Sequence, residues 1–173
     1  MPKLPNFKLP NYPNLRMTIE QKITDLLNPY LENDKFFLVN LKVSASRINT
    51  KITILLDSDE GIKIDECAAI SRNLGNDLEE QNIMPNAYNL EISSPGIDTP
   101  LKFLRQYNKN VGRTLRVIQK DGIEKVGELQ TANNQVVTLI EEKKKKAKKD
   151  EIINPLVISF EQIKEAYVQI SFK

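Results

Sequence analysis

The chain has 173 residues, of which 40% are hydrophobic and 28% are charged, and its net charge is +2. This composition is typical of a globular protein and is enough for one domain or two small ones. The absence of histidine excludes Ser–His and Cys–His nucleophile pairs and histidine-ligated metal sites, and the single cysteine excludes an internal disulfide. No stretch is long and apolar enough to cross a membrane, so we expect a cytoplasmic protein.

Residues 1–16 are unusual in containing two copies of Lys-Leu-Pro-Asn and four prolines. Because proline lacks a backbone N–H, a regular helix is not expected, and these residues are predicted to form a flexible extension. Met17 begins a more ordinary sequence, MTIEQKI, and is an alternative start of the natural chain.

A helix is predicted from Thr18, which forms a capping box with Gln21. Pro29 should end or kink this helix near Leu27. Two alternating strands follow and are predicted to form a hairpin. One face of the first strand is expected to carry Phe37, Val39, Leu41 and Val43, and one face of the second Ile52, Ile54 and Leu56.

Residues 57–61, DSDEG, lack the further ligands of a calcium loop and are interpreted as an acidic turn. A second helix is predicted from Ile64 to Gln81, with Gly75 as a point of close packing on the sheet. Its apolar stripe contains Cys67, Ile70, Leu74 and Leu78. A third strand, with Tyr88, Leu90 and Ile92 on one face, completes a helix-strand-strand-helix-strand α/β domain over residues 17–97.

The second half, residues 98–173, contains short apolar segments at short spacing. They are residues 115–118, 126–129, 136–140, 156–160 and 166–172. Asp121-Gly122 and Asn133-Asn134 supply turn signals between them. The pattern predicts a small β-barrel.

Between the halves lies LEISSPGIDTPL, residues 90–101. Proline and glycine at residues 95 and 96 suit a type II turn over residues 94–97. Thr99 followed by Pro100 predicts a capped helix that begins at Pro100. These residues are therefore predicted to form a stiff joint between two domains. A hydrolase nucleophile elbow is excluded because Gly-x-Ser-x-Gly and a histidine partner are both missing.

The same stretch, preceded by Tyr88, resembles the central signature of the bacterial RimP family of ribosome maturation factors, and the resemblance covers residues 17–173. The motif residues that carry it are Tyr88, Glu91, Ser93, Ser94, Pro95, Gly96, Asp98 and Pro100. One departure is Thr99, where many relatives carry arginine. The resemblance implies an α+β protein whose second domain is an SH3-like or Sm-like barrel. It also implies a non-catalytic factor, without cofactor or metal, that binds the immature small ribosomal subunit.

On this interpretation the partners are ribosomal RNA and small-subunit proteins, with no membrane or small-molecule substrate, and the protein is expected to be a monomer. Two exposed surfaces are candidate interfaces. They are the outward β-strand residues Asn89, Glu91 and Ser93, and the turn at residues 94–97.

Charge differs between the two halves, with −3 in residues 1–97 and +5 in residues 98–173. The positive charge of the second half comes from one run of lysines at residues 143–149. This run could contact phosphate, or it could be a solvated hairpin tip, and both interpretations remain open. The six candidate contacts are Lys143, Lys144, Lys145, Lys146, Lys148 and Lys149.

Two other functions stay open at this point. The lysine run also suits a general Sm-like RNA-binding module without a ribosomal role. A carboxylate near the serines, Glu91 or Asp98, could serve an enzyme, although surface charge and helix capping are their ordinary roles.

Overall fold

The computed structural model describes residues 17–141 and 155–170, which form a mixed α+β structure of two sheets and few helices. The elements of this part of the chain are α1 (Ile19–Leu27), β1 (Phe36–Ala45), β2 (Thr50–Ser58), α2 (Ile64–Glu80), β3 (Tyr88–Ser93), α3 (Leu104–Lys109), β4 (Thr114–Gln119), β5 (Glu124–Ala132), β6 (Val136–Ile140), β7 (Leu156–Ser159) and β8 (Ile163–Val168). Short 3₁₀ helices occupy Asn28–Leu31 and Phe160–Gln162.

The first sheet has the strand order β1-β2-β3, with β1 antiparallel and β3 parallel to β2. The predicted order of two helices and three strands is confirmed, as is the hairpin of β1 and β2. α2 provides the crossover that a parallel pair of strands requires. The core of this unit contains Ile23, Leu27, Phe36, Ile52, Ile54, Leu56, Ile70, Leu74 and Leu78.

The start and end of α1 follow the local sequence. The Thr18 side chain accepts a hydrogen bond from the Gln21 N–H at 3.2 Å, and the Gln21 side chain accepts one from the Thr18 N–H at 2.9 Å. This is the predicted capping box. The α-helix ends at Leu27, and Pro29 lies in the 3₁₀ helix that follows. The predicted end of the helix before Pro29 is therefore confirmed.

The predicted inner face of β1 is wrong at the N-terminal end of the strand. Its register against β2 shifts between Leu38 and Asn40, which leaves Val39 as an extra residue in a β-bulge. A shift of one residue moves side chains to the opposite face of a sheet. Phe36, rather than Phe37, consequently lies in the first core.

Two further expectations for the first unit are corrected. Asp57 and Ser58 are the buried last residues of β2, so the acidic turn is shorter than predicted: it contains Asp59 and Glu60 and is closed by the Gly61 N–H, which donates to the Ser58 carbonyl at 3.1 Å. Gly75 does not mark close packing, because a β-carbon there would meet nothing within 4 Å. The predicted apolar stripe of α2 is confirmed, since Cys67, Ile70, Leu74 and Leu78 are all buried.

The second sheet is antiparallel, with the strand order β7-β6-β5-β4-β8. Both predicted hairpins are present, and Gly122 adopts the positive φ of 88° that the first one requires. No pairing joins the edge strands β7 and β8 within residues 17–141 and 155–170, so the predicted closed barrel is not confirmed. The core contains Tyr107, Leu115, Val117, Leu129, Val137, Leu139, Ile158 and Ala166.

The joint between the sheets differs from its predicted form. The hydrogen-bonded turn runs from Gly96 to Thr99, whose N–H donates to the Gly96 carbonyl at 3.0 Å. Gly96 lacks the positive φ of a type II turn. No helix begins at Pro100, because the Leu101 N–H instead donates to the Ala166 carbonyl in β8 at 2.8 Å. α3 begins only at Leu104.

Two glycines give a matched test of packing. We expect Gly127→Ala to lower the free energy of unfolding by about 1–3 kcal/mol, because overpacking strains a tight core. A β-carbon at residue 127 in β5 would lie 2.6 Å from the Ile140 carbonyl oxygen. Gly75→Ala, in open space on α2, should raise stability by up to about 1 kcal/mol. Urea unfolding of both variants measures the difference, and equal effects would contradict this packing.

Candidate functional site

The motif residues of β3 are divided between its two faces. Tyr88 faces α2 and donates a hydrogen bond to Glu79 at 3.0 Å. Glu91 is exposed on the other face, as predicted, and forms an ion pair with Lys51 of β2 at 3.0 Å. Ser93 ends the strand half-buried, and Ser94 is exposed. Asn89 and Glu91 are therefore exposed as predicted, whereas Ser93 is half-buried and departs from the predicted exposed surface.

Beyond Ser94, the motif forms a compact exposed turn. Asp98 lies in the turn and directs its carboxylate back over Gly96, where an added β-carbon would lie 2.7 Å from Asp98 Oδ1. Because Asp98 is exposed and its side chain can rotate away, this contact alone does not require glycine at residue 96. Ile97 beside it is 52% exposed. Pro95 is half-buried, while Pro100 is exposed and leads into the segment that bonds to β8.

α3 follows this segment and has two chemically different faces. One face is buried, with Tyr107 in the second core and its ring edge-on to Phe160 at 5.1 Å. Gln106 is also buried, and its side-chain oxygen accepts hydrogen bonds from the N–H groups of Lys102 and Phe103. These bonds satisfy donors at the start of the helix. α3 is thus fixed to the second sheet.

The other face of α3 carries two cations, one helical turn apart, which reach the end of β2. Lys109 forms an ion pair with Asp57, whose side chain is 5% exposed, and donates to the Ser58 carbonyl at 3.3 Å. A buried carboxylate is costly unless it is paired. Lys109 supplies that pairing for Asp57.

Arg105 extends the same contact. Its guanidinium donates to both carboxylate oxygens of Asp59, at 2.9 and 3.3 Å, and to the Asp34 carbonyl at 2.8 Å. The guanidinium also lies over the Phe37 ring, 4.4 Å from its centroid. Phe37 in turn meets Phe103 edge-on at 5.7 Å. The bulge in β1 brings Phe37 to this face.

We call Lys109, Arg105, Asp57 and Asp59 the α3 clamp, because they join the second unit to the first. Sequence reasoning missed the clamp. Two signals were present: cations four residues apart at 105 and 109, and carboxylates two residues apart at 57 and 59. Neither signal identifies its partner, since the two pairs lie about 50 positions apart in the chain.

Other predicted site residues are not brought together with the clamp. The six lysines of residues 143–149 lie outside the described residues, in the connection between β6 and β7. Within the described residues no group of three or more His, Cys, Asp or Glu could hold a metal ion. In the same part of the chain, no helix is long and apolar enough to cross a membrane.

Comparisons with known proteins agree on one family. A family model described as the RimP N-terminal domain matches residues 26–98. A protein of Cytophaga hutchinsonii is 38% identical over 165 residues, covering 91% of this chain and 97% of the relative. Proteins of Flavobacterium psychrophilum (38% identity, 58% of this chain, 62% of the relative) and Chlorobium limicola (39%, 61% and 65%) match shorter stretches. All three relatives are named ribosome maturation factor RimP.

The α3 clamp predicts unequal costs for two lysine substitutions. Lys109→Met should lower the free energy of unfolding by about 3 kcal/mol, because it leaves the buried Asp57 carboxylate unpaired. Lys51→Met, at the exposed pair with Glu91, should cost less than about 1 kcal/mol. Urea unfolding measures both values. If both variants lost the same small amount of unfolding free energy, Asp57 would be solvated and the α3 clamp would not stabilise the contact between the two units.

Tyr107 predicts an alkaline transition. Burial raises the pKa of Tyr107 to about 12, from an ordinary value of 10.0. Because the pKa of Tyr107 is higher in the folded than in the unfolded state, the stability that the neutral side chain contributes is complete below pH 10. This stability is lost as pH rises to about 12. Between pH 10 and about 12, the free energy of unfolding of the wild type should fall by up to about 1.4 kcal/mol per pH unit more than that of Tyr107→Phe. Unfolding of both proteins at pH 9 and 11 tests this, and parallel losses would contradict it.

Proposed function

The chain belongs to the ribosome maturation factor RimP family, and from this premise we propose that it binds the immature small ribosomal subunit and assists its assembly without catalysing a reaction. The observation that carries the proposal is the match of 91% of this chain to 97% of a relative named ribosome maturation factor RimP. Such coverage spans both sheets and the joint between them. The partners would be ribosomal RNA and small-subunit proteins, and the location the cytoplasm.

We further propose that the chain acts as a two-unit monomer. The first unit would be residues 17–97 and the second residues 98–173, with the motif turn between them. Two separate cores, one under each sheet, support this division. The five antiparallel strands of the second unit, joined by tight hairpins, suit an SH3-like or Sm-like unit.

A role in binding, without a cofactor, suits the chemistry of the motif. Glu91 is paired with Lys51, and Asp98 lies in an exposed turn over Gly96. Neither carboxylate has a histidine within the chain to activate a nucleophile, since the sequence has none. We therefore propose that Tyr88, Glu91, Ser93 and the turn that follows form a contact surface and have no catalytic role.

The lysine run supports a contact with phosphate. Six lysines of the β6–β7 connection would attract RNA without choosing a sequence. A general RNA-binding module is the second candidate function, and this run is the observation that favours it. Specificity for an RNA sequence or for the ribosomal particle would then have to come from the rest of the molecule.

Sedimentation of the tagged protein through a sucrose gradient of bacterial lysate tests the proposal. We expect enrichment with free small subunits and absence from whole ribosomes, because an assembly factor leaves before translation. Recovery only at the top of the gradient, even at low salt, would contradict the function. Equal affinity for unrelated RNAs and for subunits would favour the general RNA-binding module.

A matched variant separates the lysine run from the rest. Subunit binding should weaken with salt, and the measured quantity is the slope of the logarithm of the binding constant against the logarithm of the salt concentration. Replacing all six lysines by glutamine should make this slope less negative by about 3, if about four single-stranded phosphates are contacted. The measurement is binding to purified immature subunits at several salt concentrations. An unchanged slope would mean that the run is a solvated hairpin tip.

A further inference from the structure

A groove of about 390 Å³ lies beside β3, and its lining includes Glu91 of the ion pair with Lys51. One wall is a stripe of α2, residues 64, 67, 68 and 71, which share one helix face. The other wall is five consecutive residues, 90–94. Successive side chains of a strand point to opposite faces, so a groove that touches all five runs along the strand's edge. We call it the β3-edge groove.

Within the described residues, one edge of β3 has no strand partner along this groove. Among the described residues, β3 pairs with β2 alone. The Thr50 N–H donates to the Ala87 carbonyl, so the backbone groups of residue 87 and of alternate residues after it face β2. The N–H and C=O groups of Leu90 and Ile92 consequently point to the open edge. An unpaired edge is a template for an added strand.

The groove also offers an apolar anchor point. Ile64, at the start of α2, is 91% exposed, although most isoleucines of the described residues are buried or half-buried. Cys67, Leu90 and Ile92 lie beside it in the lining. An apolar side chain of a bound strand would cover Ile64 and remove it from water.

Charge decides which class of partner fits. Residues 17–97 contain 7 Lys and Arg but 13 Asp and Glu, a net charge of −6. Glu91 is exposed at the groove in its surface ion pair with Lys51, and Asp65 is exposed in the first turn of α2. Such a unit repels phosphate and attracts Lys and Arg side chains. Lys63 also lines the groove, so we expect a partner's cations at the Glu91 end, where they would compete with Lys51 for the exposed carboxylate.

We propose that the β3-edge groove binds an extended, Lys- or Arg-bearing segment of a small-subunit protein, which adds to β3 as a further strand. The proposal rests on the proposed function for the source of the segment. Ser93 and Ser94 of the motif line the groove and contact the added strand. The acidic first unit then holds protein, and the lysine run of the second unit holds RNA.

The test uses the full-length protein labelled with ¹⁵N. The probes are overlapping 15-residue peptides that cover the small-subunit ribosomal proteins of Cytophaga hutchinsonii, and amide shifts report where each binds. We expect at least one basic peptide to shift residues 64–71 and 90–94. Ile64→Lys should weaken it at least tenfold. Ile48→Lys, at an equally exposed isoleucine in the β1–β2 connection, should leave binding within twofold.

Three results would overturn the proposal. The first is that no peptide binds at residues 64–71 and 90–94. The second is that an RNA oligonucleotide shifts these amides in place of peptides. The third is that replacing Phe7 and Leu9 by serine, in the full chain without peptide, shifts these amides, which would make the chain's own N-terminal segment the occupant.

The failure of this proposal is distinguishable from failure of the proposed function. If Ile64→Lys sediments with free small subunits as the wild type does, and no peptide binds, the groove is not the contact and the function stands. If the wild type itself never sediments with subunits, the proposed function fails first.

Discussion

The buried carboxylate of Asp57 is the constraint on which the arrangement of the two units depends. Asp57 is the next-to-last residue of β2, and only 5% of its side chain is exposed, so an unpaired charge there would be strongly destabilising. Lys109 provides its partner from the second unit. Because Tyr107, two residues earlier on α3, lies in the second core, satisfying Asp57 also fixes where the second sheet can be. The Arg105–Asp59 ion pair and the Phe37–Phe103 contact are further contacts between the two units and fix their relative orientation.

The motif turn and the α3 clamp are two connections between the same units. The turn is covalent and short, and its exit segment bonds to β8 through Leu101. The clamp is non-covalent and closes on β2. Between them the chain holds an acidic unit beside one that carries the lysine run. On the proposed function, these opposite charges would direct the basic proteins of the particle to the acidic unit and its RNA to the lysine run.

Much of the fold could be predicted from local patterns, because those patterns have local causes. The capping box at Thr18, the stripe of α2 and the Asp121-Gly122 hairpin each depend on neighbours within a few residues. The errors arose where distant contacts decide the outcome. The bulge at Val39 depends on pairing with β2, and the chain after Thr99 extends because Ala166 accepts its hydrogen bond. The clamp needed both halves in place, so nothing local reveals it.

Hydrogen–deuterium exchange of the full chain, alone and bound to purified immature small subunits, tests the central claim most directly. The account predicts slowed exchange on binding at the backbone of Leu90 and Ile92, whose amides face the open edge, and at residues 64–71 beside them. It predicts little change in β4 and β5, which already lie inside the second sheet. Exchange that stays unchanged throughout residues 17–97 would contradict it, because the acidic unit would then make no contact with the particle.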